Sequence, residues 1–391
     1  MKILMVSSFL PYPLINGGNI RLYNLLKNLS KRYEVTLICE EREHQTEKDI
    51  KEVQKFCKRV ITVIRKKQWT FSNILKSAFS LSPFLIIGHE NSEMKKYISE
   101  ELTKNNYDLI HVETFYVMQN LPKTALPVVL VEHNIEYMVY KKYSNHSPFF
   151  LKPFLYWDIL KMKIKEESFW RKANTLIAVS NTEKKAMNAD EVVTNGVDTE
   201  KFKVQSSNLK FNQGEKRVLF IGDFKWIENR DTTKWIIEKI WPELKLKINS
   251  NLKLWIVGKN IPDNIKNLTQ DSSVIFDENA PDDTPLIYMW AYILLSPVRV
   301  GGGTSFKILE AMASGVPVVT TSLGAEGITK NKELLRANNV EEIVQSVAKL
   351  FKDKKYYENI SKAARKLIEE KYDWKKITRG LESVYESTAK I

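Results

Sequence analysis

Leu294 to Thr321 reads LLSPVRVGGGTSFKILEAMASGVPVVTT, and this stretch decides the fold. Ile293 to Ser296 is a short apolar run that only a buried strand explains. Gly301, Gly302 and Gly303 then form a turn without side chains, and Ser305 to Ala313 has the apolar spacing of a helix. Gly315 and Pro317 stop that helix, since glycine tolerates the left-handed cap and proline cannot continue the ladder. Val318 and Val319 open the next strand. A glycine turn that starts a helix after a parallel strand suits an anion, because the first helix amides lack internal partners and the dipole favours negative charge there. Lys307 lies two or three residues inside the helix, and Glu310, three residues on, shares its face. A cation beside a carboxylate suits a nucleotide, with phosphate on the amides and lysine and ribose hydroxyls on the glutamate. The plainer alternative is a core turn followed by a solvated Lys–Glu pair.

Around this stretch the chain alternates strand and helix. Lys2 to Val6 is an apolar strand, Gly17 and Gly18 open a helix with Ile20, Leu22, Tyr23, Leu25, Leu26 and Leu29 at helical spacing, and Glu34 to Cys39 is the next strand. Further strands are expected near Val60–Ile64, Leu109–Val112, Val128–Glu132, Thr175–Val179 and Val192, before the NGVD of Asn195–Asp198. Polar sequence from Lys203 to Gly214 reads as a linker. A second series follows with RVLFIG (217–222), KLWIVG (253–258), VIF (274–276) and the central stretch. Helices over 340–352, 354–371 and 373–388 close it. Such alternation means parallel sheets covered by helices. The expected architecture is α/β, two Rossmann-like domains facing across a cleft. One domain covers 1–202 with the last helix, 373–391, crossing back to it; the other covers 203–372. There is no GxGxxG, so no dinucleotide cofactor is indicated.

The chain's 391 residues suit two such cores. Cys39 and Cys57 follow no metal or disulfide spacing, which points to a reducing cytosol. The start, MKILMVSSFLPYPL, does not read as a signal peptide, because Pro11 and Pro13 cut its apolar run. No apolar run approaches the roughly 20 residues of a spanning helix. The formal net charge of +13 suits an anionic partner. No zinc-finger spacing, RNP-like motif or basic heptad appears, which argues against nucleic acid.

Four motifs taken together, NGG after the first strand, NGVD, FIGDFKW and GGGTSFKILEAMASGVPVV, resemble the family 4 retaining glycosyltransferases of the GT-B fold, over essentially the whole chain. The resemblance implies a nucleotide-sugar donor held mostly by the second domain and an acceptor on the first. It implies that Glu310 binds the ribose hydroxyls, and that Gly17 and Gly18 approach the donor phosphates and sugar. His133, in VEHN, is similar to the histidine that contacts the transferred sugar. Gly302, Gly303 and Thr304 would offer amides and a hydroxyl to the sugar or diphosphate.

The chain departs from the family at two points. The first glutamate of the paired-glutamate motif would fall at Gly302, so that carboxylate is missing. The usual arginine–lysine pair is replaced by Lys225 and Arg230 at unfamiliar spacing, which leaves Arg299 and Lys307 as the expected phosphate cations. His111 and Glu113, in LIHVETF, end another first-domain strand; His111 is equally a core histidine, and Glu113 could orient an acceptor hydroxyl. Asp223 and Trp226 could border a base pocket.

These readings lead to transfer of a hexosyl group from a UDP- or GDP-sugar to a glycan or lipid-linked acceptor, in cell-envelope polysaccharide or glycolipid synthesis. His133, Lys307 and Glu310 are the catalytic candidates, with no metal and no cofactor beyond the donor. A nucleotide-sugar epimerase and a non-catalytic glycan- or lipid-binding protein remain open. Tyr140 to Lys172 interleaves aromatics with lysines. It suits either peripheral contact with an anionic membrane, at the inner face from the cytoplasm, or a helix with its aromatics packed inward.

Overall fold

The computed structural model describes residues 1–145, 147–203, 215–248, 251–280, 284–300, 304–328 and 332–390. Most of the 203–214 segment read as a linker lies outside the described residues, as do Gly301, Gly302 and Gly303.

The chain divides into two compact units, 1–194 with 378–391, and 195–377. The first carries a parallel sheet of β1 (Lys2–Ser7), β2 (Glu34–Glu41), β3 (Arg59–Ile64), β4 (Leu109–Glu113), β5 (Val128–Glu132), β6 (Thr175–Ala178) and β7 (Glu191–Val192). Its strand order is β3-β2-β1-β4-β5-β6-β7. The central strands are continuous apolar runs because helices cover both faces of a parallel sheet. Leu4, Val6, Ile110, Val112 and Leu130 are accordingly buried in one cluster. The helix Gly17–Leu29 follows β1. Asn16 caps it by accepting from the amide of Asn19 at 3.0 Å, and Leu22, Leu25, Leu26 and Leu29 face inward.

The second unit carries β8 (Lys216–Ile221), β9 (Leu252–Val257), β10 (Val274–Asp277), β11 (Ile293–Ser296), β12 (Val318–Thr320) and β13 (Leu335–Arg336). Their order is β10-β9-β8-β11-β12-β13, and every pairing is parallel. The expected helix after β11 is present as Phe306–Ala313 and ends at Gly315, whose φ of 69° is the left-handed conformation glycine tolerates. The strand β13 lies in a stretch without an apolar run and was not expected.

Both sheets reverse strand order beside their first strand, at β1/β4 and at β8/β11. In open α/β sheets ligands bind outside the carboxyl ends of the strands at such a point. The division of the chain falls at Thr194/Asn195 and Ile377/Thr378, so NGVD (195–198) and residues 373–377 belong to the second unit. Val197 pairs with Asp373, Thr199 donates to the Asp373 carboxylate, and Arg365 donates to the carbonyls of Thr199 and Phe202. The last helix, Trp374–Thr388, buries Leu381 and Tyr385 within the first unit. Among the described residues no helix is long and apolar enough to cross a membrane.

The aromatic–lysine stretch divides: Met162 and Phe169 are buried in the first unit's core with Trp170 packed against it, and most of its other aromatics are turned outward. Phe149, Phe150, Phe154 and Trp157 are exposed, while Asp158 and Lys161 are buried.

Candidate functional site

In the second unit the site grows from the switch point. β8 ends at Ile221, Gly222 and Asp223 lead on to the helix Ile227–Trp235, and nine residues separate β11 from Phe306–Ala313. Lys307 Nζ donates to Asn229 Oδ1 at 2.7 Å and sits 4.6 Å above the Phe220 ring. Asn229 is held in turn by its amide donating to the Asp223 carbonyl at 2.8 Å. Gly222 makes this possible, because a Cβ there would lie 2.7 Å from Asn229 Cγ. Burial pushes the Lys307 pKa down to about 8, against the attraction of Glu228 and Glu310.

Glu310 does not pair with Lys307. Its Oε2 accepts from the Tyr288 hydroxyl at 2.9 Å, and the same hydroxyl lies 3.2 Å from the Lys307 carbonyl oxygen. Burial raises the Glu310 carboxyl to about 7, opposed by Tyr288, Lys201 and Lys307. A cation and a carboxylate thus stand on one helix face with separate supports, free to serve different parts of one ligand. Thr304 is buried, and its hydroxyl finds no partner among the described residues.

Arg299 is engaged elsewhere. Its guanidinium grips Asp231 through Nε at 3.1 Å and Nη2 at 2.8 Å, and it lies 4.7 Å above the Trp235 ring. Lys225 folds back on Asp223 at 3.0 Å, and Arg230 is exposed. Trp226 is half exposed beside them.

In the first unit, β4 ends on Glu113, next to Ser7 at the end of β1. Glu113 is fully buried. His111 Nε2 lies 2.7 Å from one carboxylate oxygen, and His133 Nε2 lies 2.6 Å from the other. Arg21, on the first helix, approaches at 3.3 Å. The carboxylate can only accept, so both rings donate through Nε2. His111 Nδ1, 2.7 Å from the Tyr385 hydroxyl, then accepts from the last helix. Burial alone would raise the Glu113 pKa, yet the hydrogen bonds from His111 and His133 hold it well below 4.5. The chain Tyr385–His111–Glu113–His133 fixes the ring of His133 and leaves its Nδ1 edge outward. That edge adjoins Gly18, where a Cβ would stand 3.6 Å from His133 Cε1 and 3.3 Å from Phe9. Gly17 is the first residue of the same helix. His111 and Glu113 therefore act on His133 from behind; neither reaches a surface where an acceptor hydroxyl could lie.

Residues 15–201 match the Glycosyltransferase Family 4 model and residues 215–353 the Glycosyl transferases group 1 model. The chain belongs to the family 4, group 1 glycosyltransferases. Its fold is GT-B, two Rossmann-like domains of α/β architecture. This glycosyltransferase is 26% identical over 393 residues to an uncharacterized 44.6 kDa protein in the cps region of Klebsiella pneumoniae, covering 96% of this chain and 97% of that one. Among solved structures, the sucrose-phosphate synthase of Thermosynechococcus elongatus superposes with a TM-score of 0.71 at 14% identity, covering 99% of both chains. HepE of Anabaena, solved in complex with UDP-glucose, gives 0.63 at 16% identity, covering 99% and 100%. A variant of S. aureus TarM, solved in complex with Fondaparinux, alpha-GlcNAc-glycerol and UDP, gives 0.63 at 13% identity, covering 98% and 99%.

Sequence reasoning about this glycosyltransferase did not find Asn229, Tyr288, Arg21 or Tyr385. Asn229 lies between the cations Lys225 and Arg230. Its place three residues into a helix turns it inward, while both cations stay in solvent.

Proposed function

We propose that this protein is a retaining hexosyltransferase that uses a UDP- or GDP-sugar. The observation that carries the reading is the pair on the Phe306–Ala313 helix: Lys307 held by Asn229, and Glu310 held by Tyr288. Lys307, with the helix amides, is assigned to the donor diphosphate and stabilises it as it leaves. Arg299, which precedes the glycine segment in sequence and is held by Asp231, is assigned as the second phosphate cation. Glu310 accepts from the ribose hydroxyls. Gly302, Gly303 and Thr304 are assigned to the sugar or diphosphate, and Gly17 and Gly18 to close approach of the chain to the donor. His133, oriented by Glu113, is assigned to the transferred sugar near the reacting carbon. The positive groups of the chain do the electrostatic work in this reading, so activity needs no metal or cofactor beyond the donor.

The acceptor is proposed to be a glycan or lipid-linked glycan in cell-envelope polysaccharide or glycolipid synthesis, reached from the cytoplasm at the inner face of the membrane. The Klebsiella relative's place in a cps region supports the polysaccharide part of this reading. The UDP-glucose in the HepE structure and the UDP in the TarM structure support the donor class.

The test incubates the protein with UDP- and GDP-hexoses, with and without an acceptor fraction. Nucleotide release and the anomeric configuration of the product are read by NMR. Acceptor-dependent release with retained configuration supports the reading. Conversion of the donor sugar without acceptor would make the protein an epimerase. No turnover together with no nucleotide binding would leave a non-catalytic binding protein.

A further inference from the structure

Two helices of the first unit turn large apolar side chains to solvent. The helix Phe71–Phe79 exposes Phe71, Ile74, Leu75 and Phe79, and the one residue it buries is Ser77. The helix Lys152–Trp170 exposes Phe154, Trp157, Leu160 and Ile164; it buries Ile159, Met162 and Phe169, and with them Asp158, Lys161 and Glu166. A helix in water places its apolar stripe inward and its charges outward; Phe71–Phe79 does the reverse, and Lys152–Trp170 carries apolar residues on both its buried and its exposed side.

The buried polar groups meet one another. Asp158 accepts from the Ser77 hydroxyl at 3.0 Å and from the Phe84 amide at 3.1 Å. Lys161 pairs with Asp158 at 2.9 Å and donates to the Ser77 carbonyl at 2.7 Å. This polar joint ties together two segments about eighty residues apart and is satisfied internally, so the helices are seated rather than stray. The apolar residues turned outward are large. Trp69, Phe79, Leu81 and Phe149 are each at least 80% exposed, and Phe150, Tyr143 and Val139 join them. Scattered exposed apolar residues are ordinary, but a concentration of aromatics on adjoining elements marks a surface that something covers.

Charge identifies what covers it. Stretches 66–81 and 137–165 contain nine lysines (66, 67, 76, 141, 142, 152, 161, 163 and 165) and one acid, Asp158. The acid is buried and matched by Lys161, so the exposed charge these stretches contribute is basic throughout. Nearby Glu90 pairs with Lys76, Glu43 with Lys67 and Glu167 with Lys163, which leaves the surface with a basic excess. Aromatics and leucines among an excess of lysines complement an anionic bilayer: rings enter the headgroup boundary and ammonium groups meet lipid phosphate. A second protein copy would bring the same lysines against themselves.

We propose that the outward faces of Phe71–Phe79 and of the 138–164 region, with the loop ends at Trp69, Leu81 and Phe149, form one membrane-docking surface for anionic lipid. The proposal shares with the function proposed above only the placement at a membrane; it is independent of donor chemistry. It extends the aromatic–lysine stretch legible in sequence with a second segment that the fold brings beside it.

The experiment is co-sedimentation of the full chain with vesicles of phosphatidylcholine alone and of phosphatidylcholine with phosphatidylglycerol, run alongside UDP binding and sedimentation velocity. Two exposed triple variants are compared with the wild type: Phe79→Ser/Phe149→Ser/Phe154→Ser and Lys141→Glu/Lys142→Glu/Lys163→Glu. The expected result is binding to the anionic vesicles, weakened by salt, and about tenfold or more weaker in each variant, with nucleotide binding as in the wild type. Absence of vesicle binding overturns the proposal, as does equal binding to both lipid mixtures or an apolar variant that binds like the wild type. Self-association of the wild type that the serine variant abolishes, without vesicle binding, assigns the surface to a second copy instead. Failure of nucleotide binding in the wild type would count against the transferase reading and leave the vesicle result standing.

Discussion

Replacing Lys307 with methionine separates what the residue does for the fold from what it does for the ligand. Burial lowers its pKa from 10.5 to about 8, and at about 1.4 kcal/mol per pH unit that is a destabilisation of about 3 kcal/mol. The folded pKa lies below the unfolded one, so the cost is fully present below about pH 8 and disappears as pH rises towards 10.5. Methionine has the length to lie over Phe220 without a charge. The loss of the Asn229 hydrogen bond takes back about 1–2 kcal/mol. The Met variant should therefore unfold at a temperature equal to or up to a few degrees above the wild type at pH 7, with the advantage gone near pH 10. UDP or GDP binding should weaken by about 2–3 kcal/mol, roughly 30- to 150-fold, because a partly desolvated charge-assisted contact to the diphosphate is lost. Thermal unfolding across pH with calorimetric titration of the same samples checks both halves. A variant that melts well below the wild type and binds nucleotide as well would refute the reasoning, since Lys307 would then be a structural cation.

Glu310→Ala should lower donor affinity by tenfold or more with little change in melting temperature, measured by titration. Because burial raises the Glu310 carboxyl to about 7, nucleotide affinity in the wild type should fall as pH drops below 7, and this fall should be absent from the alanine variant. Glu113→Gln and Tyr385→Phe should lower kcat while leaving nucleotide Kd within about twofold, since both act through the ring of His133. The folded Glu113 pKa is depressed, so the stability it contributes is present above pH 4.5 and lost as pH falls through the folded value; acid unfolding of Glu113→Gln should be correspondingly flatter. In Gly18→Val the added carbons would meet Phe9 and Asn16 at 3.3 Å; it should cut turnover strongly at a stability cost of about 1–2 kcal/mol, read by denaturant titration.

Most strands were legible because parallel strands buried on both faces carry apolar runs, as ILMV in β1, VVLV in β5 and LWIV in β9 do. Glu310 and Lys307 were legible for a different reason: a glycine segment and a stop at Gly315 fix which face of a short helix looks at the strand ends. Partners brought from far along the chain were not. Tyr385 meets His111 across 274 positions, and Tyr288 meets Glu310 from a neighbouring helix. Nothing in a tyrosine on an amphipathic helix tells a hydrogen-bonded one from a packed one. The stripe at Phe71, Ile74, Leu75 and Phe79 has the spacing of a buried helix face, and only the seating of Ser77 on Asp158 shows that it points outward. The short strand β13 has two residues, too few to carry a period.

The most direct test of the central claim, a donor site built on Lys307 and Glu310, is calorimetric titration of the wild type and Glu310→Ala with UDP, GDP and ADP, each with and without magnesium. One diphosphate should bind the wild type to the same extent in both conditions and bind the variant at least tenfold more weakly. Binding of none of them, or equal binding to both proteins, would contradict it.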